Sequence, residues 1–388
     1  MKKGFFKASL TTLAAVMLAA SVAGCGGSSD KEIRIGLLNE MTGGNATIGT
    51  AAANGAKLAI KELNAKGGLL GKQIKAVVAD NKSEPSESAN AMTKLLTQDK
   101  VVAVTGTFSS SNAIAAASVA EANKKPYLVA GATNPKVTVD EKTKTVKKFI
   151  YRVCFIDPFQ GTVAANFAAK DLKVKKAAML VDNSSDYSKG LAEFFETSFR
   201  KEGGEVIASE AYLQKDTDFK ATLTKIKSTN ADILYVPGYY EEVGKIVKQA
   251  RELGIAVPIV GADGWDSPKL IEIASPAALN NTYFTNHYSV EDTSPKAKAF
   301  VDAYAKEYGQ KPEALAVLGY DAVYVLADAV KRANSTDATK IAEALAATRD
   351  FPAISGVTTI NKTHDADKNA VVIELKDGRQ IFKTSIKP

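Results

Sequence analysis

The chain has 388 residues, too many for one ordinary core and enough for two or three domains. Apolar residues make up 45% and charged residues 24%, the balance of a folded globular protein rather than a disordered or fibrous one. The formal charge is +7, and removing Lys2, Lys3 and Lys7 at the start leaves 7 − 3 = +4, too weak and dispersed for a nucleic-acid surface. The densest basic run, Lys142, Lys144, Lys147 and Lys148, reads as a solvated loop.

The first element is a targeting segment. "MKKGFFKASLTTLAAVMLAASVAGC" has a basic start, an apolar stretch from Leu10 to Val22 and small residues before Cys25. That stretch is too short for an ordinary transmembrane helix. Val22-Ala23-Gly24-Cys25 resembles the lipobox of bacterial lipoproteins, with a plain secretory signal as the alternative. The resemblance implies a signal peptide over 1–24, lipidation of Cys25, a tether over 25–30 and an exported protein held at a membrane by its N-terminal lipid. Cys154, in "FIYRVCF", is expected in a buried strand as a small apolar residue, so no internal disulfide is expected.

From residue 31 onward, short apolar runs alternate with longer amphipathic stretches. Strands are expected at 33–38, 74–79, 101–105, 127–130, 177–181, 206–211, 233–236 and 259–261. Helices are expected at 49–66, 86–99, 112–123, 160–170, 188–202, 218–228 and 241–253, several closed by Gly just past the last turn. Nearly continuous apolar strands between helices predict parallel sheets covered on both faces. The alternation falls in two blocks, about 31–150 and 151–285, each the size of one doubly wound sheet. Then the order breaks: an extended run at 283–288, helices at 295–308 and 312–332, and a closing hairpin turned at Lys376-Asp377-Gly378. Such a tail suggests a chain that returns to the earlier blocks.

In an open parallel sheet, ligands sit beyond the carboxyl ends of the strands. "VAVTGTFSSSNAI" puts Ser109, Ser110 and Ser111 at such an end, beside the free N–H groups of the next helix. They suit a small anion such as a carboxylate, and simple capping is the alternative. "PYLVAGATNP" repeats the design with Gly131 and Thr133. The second block differs: "VDNSSDYSKG" offers Tyr187, "ILYVPGYYEEVG" offers Tyr239 and Tyr240, and "PIVGADGWD" offers Asp263 and Trp265. Neutral donors on one side and an acid among aromatics on the other would suit an α-amino acid.

Taken together, "IRIGLLNEMTGGNATIG", "GAKLAIKELNAKGGLLGKQIKAVVADNKSEP", "GTFSSSNA", "ATNPKVT", "YRVCFIDPFQG", "DYSKGLAEFFE" and "GADGW" resemble, in order, the type 1 periplasmic binding proteins of the branched-chain amino-acid family, which serve ABC importers. The resemblance implies an α/β fold of two doubly wound parallel-sheet lobes joined by three hinge crossings. The first lobe would take 31–152 and 286–366, the second 153–285 and 367–388. It implies that Ser110 and Thr133 hold the ligand carboxylate. The ammonium would meet the Gly131 carbonyl and Asp263, with Tyr187 and Tyr239 closing over the ligand. Ser109, Ile48 and Trp265 are candidate specificity positions. Asp263 is one methylene shorter than the Glu often found there, and Ser83 and Ser109 stand where some relatives carry a disulfide pair.

The expected function is a substrate-binding protein that captures an α-amino acid with a small apolar side chain for an ABC permease. Receptors for an amide, urea or aromatic acid, or a sensing subunit, are the alternatives. An enzyme is not expected, because neither a Gly-x-Ser-x-Gly elbow nor a phosphate-cradling Gly-x-x-x-x-Gly-Lys-Ser/Thr is present. His287 and His364 lie far apart without ligand-like company and are assigned to surface or packing roles. No cofactor, metal or nucleic acid is expected.

Overall fold

A computed structural model describes residues 32–388. The expected signal peptide over 1–24, the expected lipidation site Cys25 and the expected tether over 25–30 lie outside the described residues. Strand–helix alternation builds two sheets of like design. The first runs β2–β1–β3–β4–β5, all parallel, from β1 (Glu32–Asn39), β2 (Gln73–Asp80), β3 (Ala103–Gly106), β4 (Tyr127–Val129) and β5 (Ile150–Arg152). It is wrapped by α1 (Ala46–Ala65), α2 (Pro85–Thr97) and α3 (Ser110–Ala122). The central strand β3 is buried along its whole length, as a strand covered on both faces must be.

After α4 (Asp157–Asn166) the second sheet repeats the plan. Its strands β6 (Lys176–Asp182), β7 (Glu205–Tyr212), β8 (Ile233–Tyr235), β9 (Ile259–Gly261) and β10 (Thr282–Asn286) lie in the order β7–β6–β8–β9–β10, again all parallel. Its helices are α5 (Asp186–Lys201), α6 (Lys220–Ser228), α7 (Tyr240–Glu252) and the short α8 (Pro268–Ala274). In each sheet the strand order reverses beside the first-formed strand, between β1 and β3 and between β6 and β8, and a crevice opens at such a reversal.

The chain then returns. α9 (Pro295–Tyr308), α10 (Ala314–Ala333) and α11 (Ala338–Ala346) go back to the first sheet, with a small sheet of β11 (Phe351–Ala353), β12 (Gly356–Ile360) and β13 (Ala366–Asp367). α10 lies directly on α1. Two glycines allow the approach: a Cβ on Gly55 would stand 1.9 Å from the Ala316 carbonyl, and one on Gly319 2.1 Å from that of Ala52. β14 (Ala370–Lys376) and β15 (Arg379–Ile386) finally add to the second sheet as an antiparallel hairpin. Its turn residues have positive φ, Asp377 at 50° and Gly378 at 73°, the geometry an Asp-Gly pair supplies.

The chain thus passes between the sheets three times, after β5, after β10 and after β13. A buried ion pair ties the first crossing to the third: Arg152 Nε lies 2.6 Å from Asp365 Oδ1. Arg152 also donates to the Ala132 carbonyl at 2.8 Å and to Thr138 Oγ1 at 2.9 Å. His364 stacks on Tyr151 beside them.

Several elements depart from expectation. Cys154 is buried, but it lies past the end of β5, with its thiol 3.5 Å from the Ala132 carbonyl. α4 begins a turn earlier than its apolar pattern, because Pro158 suits a first helical turn. It then widens into a π turn over Phe167–Asp171. α8, α11 and β11–β13 are short, and their patterns fall below what periodicity can detect.

Candidate ligand site between the two lobes

Parallel strands end on one side, so the crevice collects whatever follows their carboxyl ends. In the first lobe these are Glu40 after β1, Ser109 and Ser110 after β3, and Gly131 and Thr133 after β4. In the second they are Tyr187 after β6, Tyr239 after β8, Asp263 after β9 and His287 after β10.

The first wall is built on a tight loop. Gly106 has φ +119°, and a Cβ there would meet the Leu38 carbonyl at 2.3 Å. Thr107, at φ 60°, is held in the left-handed region by its N–H and hydroxyl, which both donate to Leu38 O, at 2.6 and 3.0 Å. That turn delivers Ser110 as the first residue of α3, where N–H groups lack helical partners. The Ser110 hydroxyl accepts the Asn134 N–H at 3.2 Å, joining the β3 and β4 edges. Gly131 leaves room for Phe108, whose ring carbon would lie 2.3 Å from any Cβ there. Thr133 is buried, and its hydroxyl has no partner.

Glu40 stands beneath this loop, fully buried. It accepts the Phe108 N–H at 3.1 Å, the Ser109 N–H at 3.2 Å, and the side-chain amides of Asn81 and Asn112, each at 3.2 Å. Burial pushes its carboxyl above the ordinary range, and those bonds pull it back.

The second wall centres on Asp263. Its Oδ1 accepts the Tyr187 hydroxyl and the Gln160 amide, both at 2.7 Å, and its Oδ2 lies 3.0 Å from His287 Nε2. Burial holds the His287 ring below its ordinary pKa, against the pull of Asp263. A neutral ring then donates Nε2–H to the acid. The Tyr187 oxygen receives the Gly264 N–H at 2.9 Å. Tyr187 stacks on Tyr239 with centroids 4.9 Å apart, and Tyr239 meets Phe108 of the first wall edge-on. Burial lifts the Tyr187 phenol well above its usual range, so it acts as a donor.

The walls touch. Tyr239 donates to Ser109 Oγ at 3.4 Å, Tyr240 to Thr47 Oγ1 at 3.2 Å and Ser111 to Asp186 Oδ2 at 3.1 Å. Asn134 Nδ2 donates to the Asp186 carbonyl at 2.8 Å. Asp266, beside Asp263, accepts the Ala314 N–H at the start of α10 at 2.8 Å.

The structure therefore gathers Ser109, Ser110, Gly131, Thr133, Tyr187, Tyr239 and Asp263 around one crevice. Ile48 is buried on α1 next to Thr47, which meets Tyr240. Trp265 stands apart: its Nε1–H donates to the Val236 carbonyl at 3.0 Å, and its ring covers Gly261 and stacks on Phe284 in the lobe interior. Of the surface and packing roles expected for His287, the surface one is corrected: the residue is buried, its ring stacks on Phe155 with centroids 3.6 Å apart, and its Nε2 also meets Asp263. Sequence reasoning also passed over Glu40, Asp157 and Gln160. The strand-end rule reaches Glu40 and His287; the two α4 residues carry no such mark. Among the described residues no group of three or more His, Cys, Asp or Glu could hold a metal ion, and no helix is long and apolar enough to cross a membrane.

Two like-folded α/β lobes with a polar crevice at their strand ends, and a chain that crosses between them three times, define a two-lobed solute-binding protein. Residues 32–380 match the family described as periplasmic binding protein, and the chain belongs to it. It is 33% identical over 335 residues to a Leu/Ile/Val-binding protein of Rhizobium johnstonii, covering 86% of this chain and 89% of that one. A leucine-binding protein of Thermotoga maritima superposes with a TM-score of 0.87 at 40% identity, over 92% of this chain and 99% of that one. A branched-chain amino-acid substrate-binding protein of Streptococcus pneumoniae, solved with isoleucine, gives 0.85 at 40% identity, over 92% and 100%.

Proposed function

We propose that this chain is the extracytoplasmic substrate-binding protein of an ABC importer and captures an α-amino acid with a small apolar side chain. The observation that carries this reading is the opposition of the Ser110–Thr133 edge to Asp263 and its phenols across one crevice. The first suits a carboxylate, the second an ammonium. Relatives named for leucine, isoleucine and valine support the side-chain class. Ile48, Phe108 and Tyr239 offer the apolar contact such a side chain needs.

In this reading Ser110 and Thr133 hold the carboxylate, the Gly131 carbonyl faces the ammonium, and Tyr187 and Tyr239 close over the ligand. The lobes divide at 31–152 with 286–366 and at 153–285 with 367–388. The lobes close by hinge motion biased by ligand, and the closed form docks on its permease. Cleavage before Cys25 and its lipidation anchor the protein to a membrane. It is a receptor, not an enzyme.

The test is a thermal-shift panel of the twenty amino acids, with amides and aromatic acids as controls. A ligand well above its dissociation constant raises the melting point by mass action. Leucine, isoleucine or valine should do so, and a response confined to aromatic acids would overturn the reading.

A further inference from the structure

The charge that looks dispersed along the sequence is gathered by the fold. Each loop that feeds a later strand of the first sheet brings a lysine to the same edge. Lys72 leads into β2, Lys100 into β3, Lys124 into β4 and Lys148 into β5. The strands are parallel, so these loops share their amino ends, opposite the crevice. Arg34 of β1 joins them and donates to the Asp99 carbonyl at 3.2 Å, while Lys66 closes α1 over the Tyr324 ring. Lys66, Lys72, Lys100, Lys124 and Lys148 have no ion-pair partner among the described residues. Of the acids at this edge, Asp99 pairs with Lys94 and Glu32 with Lys75, and Glu121 accepts the Lys148 and Phe149 N–H groups, each at 2.8 Å.

Lysines that follow helices often serve the helix dipole. The second sheet has like helices, yet its strands are entered through Glu205 at β7, Asp232 at β8, Pro258 at β9 and Asn281 at β10. Lysines lead only into β6, and there Asp232 accepts the Lys175 and Lys176 N–H groups. The basic edge is therefore particular to the first lobe.

The loop between α1 and β2 gives this edge an apolar tip. Leu69 and Lys72 exchange two backbone hydrogen bonds of 2.8 Å, which makes Leu70 and Gly71 a two-residue turn with φ 50° and 74°. Asn, Asp or Gly suits the first of those positions, and a leucine there costs backbone strain. Leu69 is buried, whereas Leu70 is 37% exposed, with Lys66 and Lys72 close along the chain. β1 also starts at this edge, at Glu32, which follows Cys25 by 32 − 25 = 7 positions. Even a fully extended chain keeps the edge within about 25 Å of Cys25.

We propose that the basic edge of the first lobe rests on the headgroups of an anionic phospholipid membrane, with its lysines on the phosphates and Leu70 entering the interface. The proposal rests on the lipid-anchored reading above and adds an orientation to it. The first lobe stands on the membrane, and the crevice, at the other ends of the strands, faces away from it.

The test is co-sedimentation of the processed chain, residue 25 onward with Cys25→Ser so that the surface alone is read. The vesicles are phosphatidylcholine, or phosphatidylcholine with about one third phosphatidylglycerol. The protein should sediment with the anionic vesicles only, and high salt should release it. Lys100→Gln, Lys124→Gln and Lys148→Gln together should weaken binding about 100-fold, at roughly fivefold for each cation near the surface. Leu70→Ser should weaken it several-fold. Lys220→Gln, Lys225→Gln and Lys269→Gln together remove the same charge from exposed positions of the second lobe and should change nothing. Equal weakening by the two triple variants, equal binding to neutral vesicles, or no binding at all would overturn the proposal. Unchanged binding of Leu70→Ser would overturn the insertion of the leucine. The mass of the native N-terminal fragment reads lipidation separately, and leucine should raise the melting point of every variant. A failure of the anchor or of the receptor reading is thereby distinguished from a failure of the surface.

Discussion

Tyr187 and Asp263 form a relay across the second wall: the phenol donates to Oδ1 at 2.7 Å and its oxygen receives the Gly264 N–H at 2.9 Å. Tyr187→Phe removes both bonds and keeps the ring that stacks on Tyr239. It leaves a buried carboxylate short of a donor and a buried N–H without an acceptor. Each such loss costs about 1–3 kcal/mol, so leucine affinity should fall by roughly 10- to 100-fold with the fold intact, as titration calorimetry and circular dichroism would show. Unchanged affinity would remove the relay from the binding account.

Asp186 draws the walls together at their rim, through Ser111, Asn134 and Lys136. Ser111→Ala deletes the one hydroxyl that meets its carboxylate. The lost contact exists only with the lobes together, so the dissociation rate should rise several-fold while association changes little. Stopped-flow tryptophan fluorescence would report both rates, and a purely association-side effect would contradict the rim contact.

Arg152 and Asp365 are both buried, and their pairing spans two hinge crossings. Arg152→Met strands the aspartate without its charge partner, a defect worth about 3–5 kcal/mol. Urea unfolding should show the loss, and Arg152→Met with Asp365→Leu should recover part of it. A double variant as unstable as the single one would show that the arginine's bonds to Ala132 and Thr138 matter more.

His287 gives a pH signature. Burial lowers its native pKa below the ordinary value near 6.5, so below that pH the unfolded chain binds a proton that the native protein refuses. Its contribution to stability is present above pH 6.5 and is lost as pH falls, by at most about 1.4 kcal/mol per pH unit. The buried acids Glu40, Asp157 and Glu313, all raised by burial, act in the opposite sense, so the comparison must be between variants. Urea midpoints at pH 7.5 and 5.5 should drop more for wild type than for His287→Gln. Parallel slopes would mean that the ring takes up its proton in the native state.

The strand ends were the most legible part of the sequence. An apolar run followed by Gly and hydroxyl residues marks a covered strand opening onto a crevice, and it led to Ser110, Thr133, Tyr187, Tyr239 and Asp263 as neighbours. The same rule applies to "LLNE" and "FTNH", but the first looks like an ordinary turn and the second lies in the returning tail. Glu40 and His287 escaped for that reason. Asp157 and Gln160 enter from a helix whose face is chosen by how α4 settles on α5 and β10, a tertiary fact that no local spacing encodes. Trp265 shows the converse: its position in the chain is right, yet Gly261 opens a slot that takes the indole inward.

The bare contact of Gly55 with α10, and of Gly319 with α1, has a bearing on how the molecule is made. The partner of α1 is α10, and their matched glycines, Gly55 and Gly319, stand 319 − 55 = 264 positions apart, so the first half cannot be finished early as the chain leaves the ribosome. The opposite half waits in turn for the closing hairpin. A polypeptide that stays incomplete until its last stretch appears remains threadable, which is the condition in which a secretion channel can accept it.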